Sequence, residues 1–452
     1  MRLIIIVLSA IFCNIVCGAP AIPLKPRGLP TKPSEDPFYI APEGFESKSP
    51  GDVLKHREMN NLFGIVVIPE KIKSVHQFLV RSEDSFGEPI AAVTTIFEPY
   101  NADPTKLLSY QAAEDAANID CSPSYAMQLG ADADTILTAQ IEQLLAQAGL
   151  NEGWYVVIPD HQGPKSTFVV GESAGHIVLD SIRATLRSGN ITGIHEDAKV
   201  TLWGYSGGSF ASGWAAQMHP TYASELKIVG AAYGGIVANI SQVAEKNFGG
   251  PFTGFVMAAI NGLANEYPKL DNLINEIGYK DKLDKFRKAT QMCLIEELPY
   301  YAFDQVSEYV DGDKQYLLSL PIVKNITEKN TMIGSKYLPT IPLYFYQGKG
   351  DEIIPASGTD ELHNDFCERG VDIDYHEDLL SEHIIQAVTG AGGAFNWMRD
   401  RLNGKPHTQG CNKEITASNA ITPEGLSGLG DIFSGAILTL FQKPIGPYED
   451  VL

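Results

Sequence analysis

Two kinds of hydrophobic spacing alternate along the chain. Short runs rich in Val, Ile, Leu and aromatic residues predict strands: "HQFLVRSED", "IAAVTTIFEP", "KLLSYQ", "WYVVIPD", "AKVTLWGYS", "LKIVGAAYGG", "IPLYFYQGKGD" and "VDIDYHED". The first two, joined by "SFGEP", predict an antiparallel hairpin. Most of the later runs show no polar alternation and are separated by segments of helical length. That is how a parallel sheet covered on both faces reads in sequence, and the expected fold class is α/β with a mostly parallel central sheet. About 100 residues between "AAYGG" and "IPLYFYQGKGD" break the rhythm. Within them "PFTGFVMAAINGLANEYPKLDNLINEIG" and "DKLDKFRKATQMCLIEELPYYAF" carry apolar residues at helical spacing, which predicts a helical insertion. The Gly-, Ala- and Leu-rich segment after Cys411 ends in "ILTLFQKPIGPYEDVL" and is expected to form a strand or flap packed back on the body.

The first residues do not belong to this pattern. Met1-Arg2 followed by "LIIIVLSAIFCNIV" joins a positive start to an apolar run, and "VCG" offers small residues for cleavage. The run falls short of the roughly 20 residues that span a bilayer, so residues 1–18 read as a secretory leader and the product as extracellular. The proline-rich stretch over 19–37 is expected not to pack and reads as an extended arm or a processed segment, with structure beginning near Phe38. The remaining divisions are 38–238 and 339–405 for the two parts of the core, 239–338 for the insertion and 406–452 for the C-terminal segment. The glycine clusters "GAGG" and "GLSGLG" lack the lysine and helix of a phosphate site and read as loops.

With 452 residues and 44% hydrophobic content the chain can bury a large core. Its formal charge is −21, and loss of Arg2 with the leader makes it one unit more negative. Such a surface repels nucleic acid and anionic headgroups; it suits a neutral substrate, or simply solubility. Of six cysteines, Cys13 and Cys17 leave with the leader. Cys121, Cys293, Cys367 and Cys411 remain, an even number in an oxidising compartment, with three ways to form two disulfides. Their spacing matches no zinc pattern, and no metal is expected. Asn190-Ile-Thr, Asn239-Ile-Ser and Asn325-Ile-Thr are N-glycosylation acceptors in a secreted chain.

Candidate chemistry begins with a duplication. "GESAG" at 171–175 and "GYSGG" at 204–208 both spell G-x-S-x-G, the strand-to-helix turn that displays a nucleophilic serine. Both follow an apolar run and precede a helix-compatible one, so the local motif does not separate them. Connectivity does. Were "STFVV" a strand parallel to "WYVVIPD", its crossover would have to fit into "HQGPK", where about a dozen residues are needed. With "ESAGHIVLDSIRATLRSG" as the crossover helix, the chain runs on to "AKVTLW" and a turn at Ser206. Ser206 is the expected nucleophile, and Ser173 a small residue opening the preceding helix.

A serine hydroxyl needs a neutral histidine to accept its proton and a carboxylate to set the histidine's tautomer. In α/β-hydrolases the order is Ser, acid, His, each at the C-terminal end of a strand. "PLYFYQGKGDEIIP" places Asp351 in a turn after an apolar strand, and "LLSEHIIQAV" places His383 beyond the next one. Asp374 and Asp378 are lesser rivals to Asp351. His376 lies inside a strand pattern and His363 in the intervening helix, which marks both as structural. The amide of Gly207 is one expected oxyanion donor; a second belongs in "SYQAAEDAANIDC", without a choice of residue.

"SYQAAEDAANIDCSPSYA", "PDHQGPKSTFVVGESAGHIVLDSIRA", "LWGYSGGSFASGWAA", "QGKGDEIIP" and "SEHI" together resemble the secreted lipase family of Candida-type yeasts, the family of Candida antarctica lipase A. The resemblance covers nearly all of the mature chain. It implies an α/β-hydrolase acting on acylglycerols at a lipid–water interface, with a helical lid inserted before the acid strand and a C-terminal flap. It implies Ser206 as nucleophile, Asp351 as acid, His383 as base and the amides of Asp115 and Gly207 as oxyanion donors. It also implies disulfides Cys121 to Cys293 and Cys367 to Cys411. The insertion's stripe of Phe252, Phe255, Val256, Ile260 and Leu263 either lines an acyl route or packs the insertion onto the body. The expected protein is a monomeric secreted triacylglycerol lipase needing no cofactor. The rival readings are an esterase for short-chain or other neutral esters, and an inactive hydrolase fold kept for binding.

Overall fold

The computed structural model describes residues 29–59, 63–65 and 68–447; the expected leader and residues 19–28 of the arm lie outside these. Ten strands form one sheet: β1 (Val53–Glu58), β2 (Ser74–Glu83), β3 (Pro89–Glu98), β4 (Asp103–Gln111), β5 (Trp154–Pro159), β6 (Lys199–Tyr205), β7 (Ile228–Gly234), β8 (Leu343–Gly348), β9 (Ile373–Asp378) and β10 (Cys411–Thr416). Their spatial order is β1-β2-β3-β5-β4-β6-β7-β8-β9-β10. The pairings β1/β2, β2/β3 and β3/β5 are antiparallel, and every pairing from β5 to β10 is parallel.

The central strands are continuous apolar runs because both of their faces are buried; all six residues of β5 are. Alternate residues feed two cores. On one face Leu107, Val200, Leu202 and Phe345 pack under α2 (Gly171–Leu186) and α3 (Gly207–Tyr222). On the other, Leu108, Trp203 and Tyr346 pack under α1 (Ala133–Asn151) and α8 (Ala391–Leu402). α2 is the crossover from β5 to β6, and "STFVV" contributes no strand. Between β7 and β8 the regular elements are helical, among them α4 (Ile240–Asn247), α5 (Thr253–Glu266) and α6 (Leu294–Tyr301). A disulfide joins Cys121, after β4, to Cys293 at the start of α6, and a second joins Cys367 to Cys411.

Expectations change at four places. "GAGG" and "GLSGLG" are not loops: the first opens α8 and the second lies within the helix over Pro423–Leu440, where Gly392 and Gly428 let the two helix backbones touch. Residues 29–37 do pack: Pro30 and Pro33 are buried, Ser34 donates through N and Oγ to Asp120, and Asp36 pairs with Arg57. Prolines remove backbone donors, but here they fill contacts while neighbouring polar residues anchor the strip. The edge strands β1 ("VLKHRE") and β10 ("CNKEIT") escape hydrophobic patterning because edges are largely exposed and carry charge. "ILTL" is not a strand; it ends α9 (Pro423–Leu440), which starts with Thr422 accepting from the Gly425 amide and Pro423 at the first helical position. That cap is the signal the apolar run concealed.

Candidate active site

The polar residues singled out in the sequence meet at the C-terminal ends of β4, β6, β8 and β9, the rim where open α/β sheets bind ligands. Ser206 follows β6 with φ 54° and ψ −121°, a conformation rare for a residue with a side chain. The flanking glycines make it attainable. A Cβ at Gly204 would lie 2.2 Å from the Gly208 carbonyl oxygen, and one at Gly208 1.9 Å from that of Gln111. The turn therefore points the Ser206 hydroxyl away from the sheet, and it donates to His383 Nε2 at 2.9 Å.

His383 opens a short helix, α7 (His383–Thr389), one loop beyond β9. Its Nδ1–H donates to Asp351 Oδ2 at 2.7 Å, which leaves Nε2 as the acceptor. Its amide donates to Glu352 at 2.8 Å, its carbonyl accepts from the Tyr205 hydroxyl at 2.6 Å, and its ring packs on Tyr205. Asp351 is buried and fully supplied with donors: Oδ1 accepts from the amides of Ile353 and Ile354, and Oδ2 also from Gln347 Nε2. Gln347 is in turn held by the Ile236 amide and the Thr359 hydroxyl.

Asp115 lies on the loop after β4, at φ 46°, with its carboxyl against the helix start; a Cβ on Gly207 would lie 1.8 Å from Asp115 Oδ1. Its amide donates to the side chain of Gln162 at 3.3 Å in the amide orientation that satisfies both ends of Gln162. The Asp115 carboxyl is buried and Oδ1 has no hydrogen-bond partner. Burial raises it to about 7. Glu114 beside it is raised well above the carboxylate range, first by burial and then by the charge of Asp160, itself pushed up by burial to about 7. Glu297 on α6 is raised well above the carboxylate range, first by burial and then by the charge of Asp115. Below neutrality this side of the site is a set of uncharged acids.

The space in front of Ser206 is apolar. About 490 Å³ of space, part of it open to solvent, is lined by residues including Phe168, Val237, Phe255, Ile353 and Ile354. Val169, Ile240, Ala244, Val256 and Ala259 line both this space and a deeper one of about 1010 Å³ running into the insertion between Met257, Leu263, Ile274 and Phe286. Of the expected stripe, Phe255, Val256, Ile260 and Leu263 face these cavities, while Phe252 packs beside Phe255. Val169 holds φ 57°, an outlier for a β-branched residue, at the wall shared by both.

The rejected candidates lie elsewhere in the hydrogen-bond network. Ser173 is buried in the first turn of α2, and Gly171 and Gly175 of its motif are explained by packing: Cβ atoms there would lie 2.0 Å from the Trp214 ring and 2.5 Å from Met218 Sδ on α3. His376 stacks on Tyr344 between Asp374 and Glu414, and His363 faces Tyr375 and Cys367. Asp378 accepts three backbone N–H groups, of Leu380, Ser381 and Asn419, and so shapes the turn before His383. Asn190 and Asn325 are exposed; Asn239 is half-buried and caps α4 through Oδ1. Among the described residues, His363, Cys367 and Cys411 have metal-ligand spacing, but the two sulfurs are bonded to each other. Sequence reasoning missed Gln347, Glu352, Tyr205 and Gln162. Gln347 had a visible signal, a lone polar residue in the apolar run "LYFYQG".

Residues 127–410 match the family described as secretory lipase. Lipase 1 of Candida albicans is 44% identical over 426 residues, covering 92% of this chain and 90% of that one. This chain belongs to the secretory lipase family. Lipase A of Arthroderma benhamiae is 41% identical over 428 residues, 93% of this chain and 90% of that one. The crystal structure of Candida antarctica lipase A in its closed state superposes with a TM-score of 0.82 at 26% identity, covering 94% of this chain and 100% of that one. The secretory lipase described here is thus a lipase hydrolase with an α/β-hydrolase-like mixed sheet. Among its described residues no helix is long and apolar enough to cross a membrane.

Proposed function

We propose that this secretory lipase hydrolyses triacylglycerols through an acyl-enzyme on Ser206. What carries the reading is one line of contacts, Asp351 to His383 to Ser206, opening onto an apolar space that shares a wall with a second apolar space in the insertion. Ser206 Oγ attacks the ester carbonyl carbon while its proton passes to His383 Nε2, and Asp351 stabilises the imidazolium. The amides of Gly207, at the open start of α3, and Asp115 serve the developing oxyanion; the Asp115 N–H turns from Gln162 to the substrate oxygen. His383 returns the proton to the departing glycerol oxygen. A water then loses its proton to Nε2, attacks the acyl carbon, and the fatty acid leaves as Ser206 is reprotonated. Metal and organic cofactor have no part in these steps.

In this reading residues 239–338 form the lid and 406–452 the flap of a monomeric, secreted protein whose leader is 1–18. Likeness to a structure described as closed supports a covered site. Asn190 and Asn325 fit glycan attachment by exposure, and Asn239 fits it only through Nδ2, since Oδ1 is committed to the cap. Rates on emulsified long-chain triacylglycerol and on a soluble short-chain ester test the substrate: the expected preference is for the emulsion, and turnover confined to the soluble ester would make the protein an esterase.

A further inference from the structure

Beside the site the surface is apolar where a soluble protein is ordinarily polar. Leu380 is 75% exposed, Ile384 71%, Ile421 72% and Leu426 67%, with Leu379 and Val388 also exposed. These residues come from three segments held as one. The buried Asp378 carboxylate accepts the Leu380 and Ser381 amides through Oδ1 and the Asn419 amide through Oδ2, and the Leu379 amide donates to the Thr416 carbonyl. The turn before His383 is thereby tied to the turn that leads into α9.

α9 continues this surface. Gly425, Gly428, Leu429, Ile432, Gly435 and Thr439 are buried, as expected of a packed helix face. One flank of the exposed side carries Leu426, Phe433, Ile437 and Leu440, at spacings of seven, four and three, beside exposed Ser427, Gly430 and Ser434, and ends at exposed Phe441. A surface helix of a water-soluble protein ordinarily has a polar outer face, and contiguous exposed apolar area marks a contact site.

We infer that the Leu379–Val388 rim and the outer face of α9 are one docking surface for an uncharged or zwitterionic lipid interface. Position and charge select this occupant. Leu380 and Ile384 flank His383 in the chain, so the surface borders the site that takes the ester. The charges beside it are acidic, Glu382, Glu424 and Asp431, and the nearby cation Arg399 is bound to Asp431 and Glu152. On a chain of formal charge −21, a surface whose one unpaired cation among the described residues is Lys443, at its far end beyond Phe441, gains little from anionic headgroups. The inference rests on the lipase reading, because an esterase for dissolved substrates has no use for such a face.

The test uses the full-length mature protein. Binding is measured by flotation with phosphatidylcholine vesicles on the Ser206→Ala form, so that no hydrolysis intervenes. Leu380→Glu with Ile421→Glu, and separately Phe433→Glu with Ile437→Glu, are each expected to weaken binding about tenfold or more. In the Ser206 form the same pairs are expected to slow hydrolysis of emulsified triacylglycerol in parallel, with kcat/KM for a soluble short-chain ester held within about twofold. Unchanged vesicle binding overturns the inference, as does equal loss on both substrates with unaltered thermal melts. A tight dimer in solution that these substitutions dissociate assigns the face to a second copy instead. Affinity that rises steeply with phosphatidylglycerol content and falls with salt contradicts the uncharged interface. If the parent protein binds vesicles through this face but hydrolyses neither substrate, the lipase reading fails and the docking surface stands.

Discussion

At the scale of single residues, the reactive group is supported by neighbours with separable roles. Gln347 is a positioning residue: it donates to the Asp351 oxygen that His383 also engages, and its own oxygen is fixed by Ile236 N–H and Thr359. Gln347→Ala is expected to lower kcat about ten- to a hundredfold with little change in KM, the cost of one hydrogen bond to a charged group. Asp115 sets a pH limit. Burial raises its carboxyl to about 7, so it is neutral in mild acid and negative above neutrality, where on the proposed mechanism its charge, against Gly207, opposes the forming oxyanion. The kcat profile is therefore expected to fall as pH rises through about 7, and Asp115→Asn to remove that descending limb; a limb that survives the substitution belongs to another group. The triad was legible because each member falls in a turn after an apolar strand in the required order. Asp115 was not legible from its loop without the family resemblance, and its pKa depends on burial that no local motif records. The partners Glu352 and Gln162 were illegible too, since they act through contacts between distant loops.

At the scale of elements, the interior of the sheet was legible and its edges were not. β5 to β8 are buried on both faces over nearly all of their length and read as apolar runs; β9 keeps a polar alternation, and β1 and β10, half in water, carry no hydrophobic strand pattern. The duplicate serine motif sharpens the point. Gly204 and Gly208 are small because a strand turns into a helix against the backbone of Gln111, whereas Gly171 and Gly175 are small because α2 crosses α3 closely. One pattern serves two physical needs, and only the crossover length told them apart. Gly171→Ala is expected to destabilise the protein by about 1–3 kcal/mol, because the added methyl meets the buried Trp214 ring. A denaturation midpoint measures this, and folded variant should retain its turnover number.

At the scale of the whole molecule, the buried acids govern stability. Burial raises Asp115 and Asp160 to about 7 and Glu70 to about 8, against values near 4 in the unfolded chain. Between these limits the folded state holds protons that the unfolded state has released, so the stabilisation is complete below about pH 4 for these groups and is lost as pH rises through 7 to 8. The melting temperature is accordingly expected to fall from pH 7.5 to pH 8.5, above the range in which the buried histidines, whose pKa values burial lowers, add an opposing term on unfolding; a flat or rising profile would show these acids already ionised in the fold. On the proposed mechanism the same architecture, a mostly parallel sheet whose C-terminal rim gathers Ser206, Asp351 and His383, makes Ser206 the reactive serine and leaves Ser173 inert. Labelling the folded protein with a fluorophosphonate and mapping the modified peptide by mass spectrometry tests this most directly. The expected result is a single adduct on Ser206, lost in Ser206→Ala and retained in Ser173→Ala; an adduct on Ser173, or none on the folded protein, would contradict it.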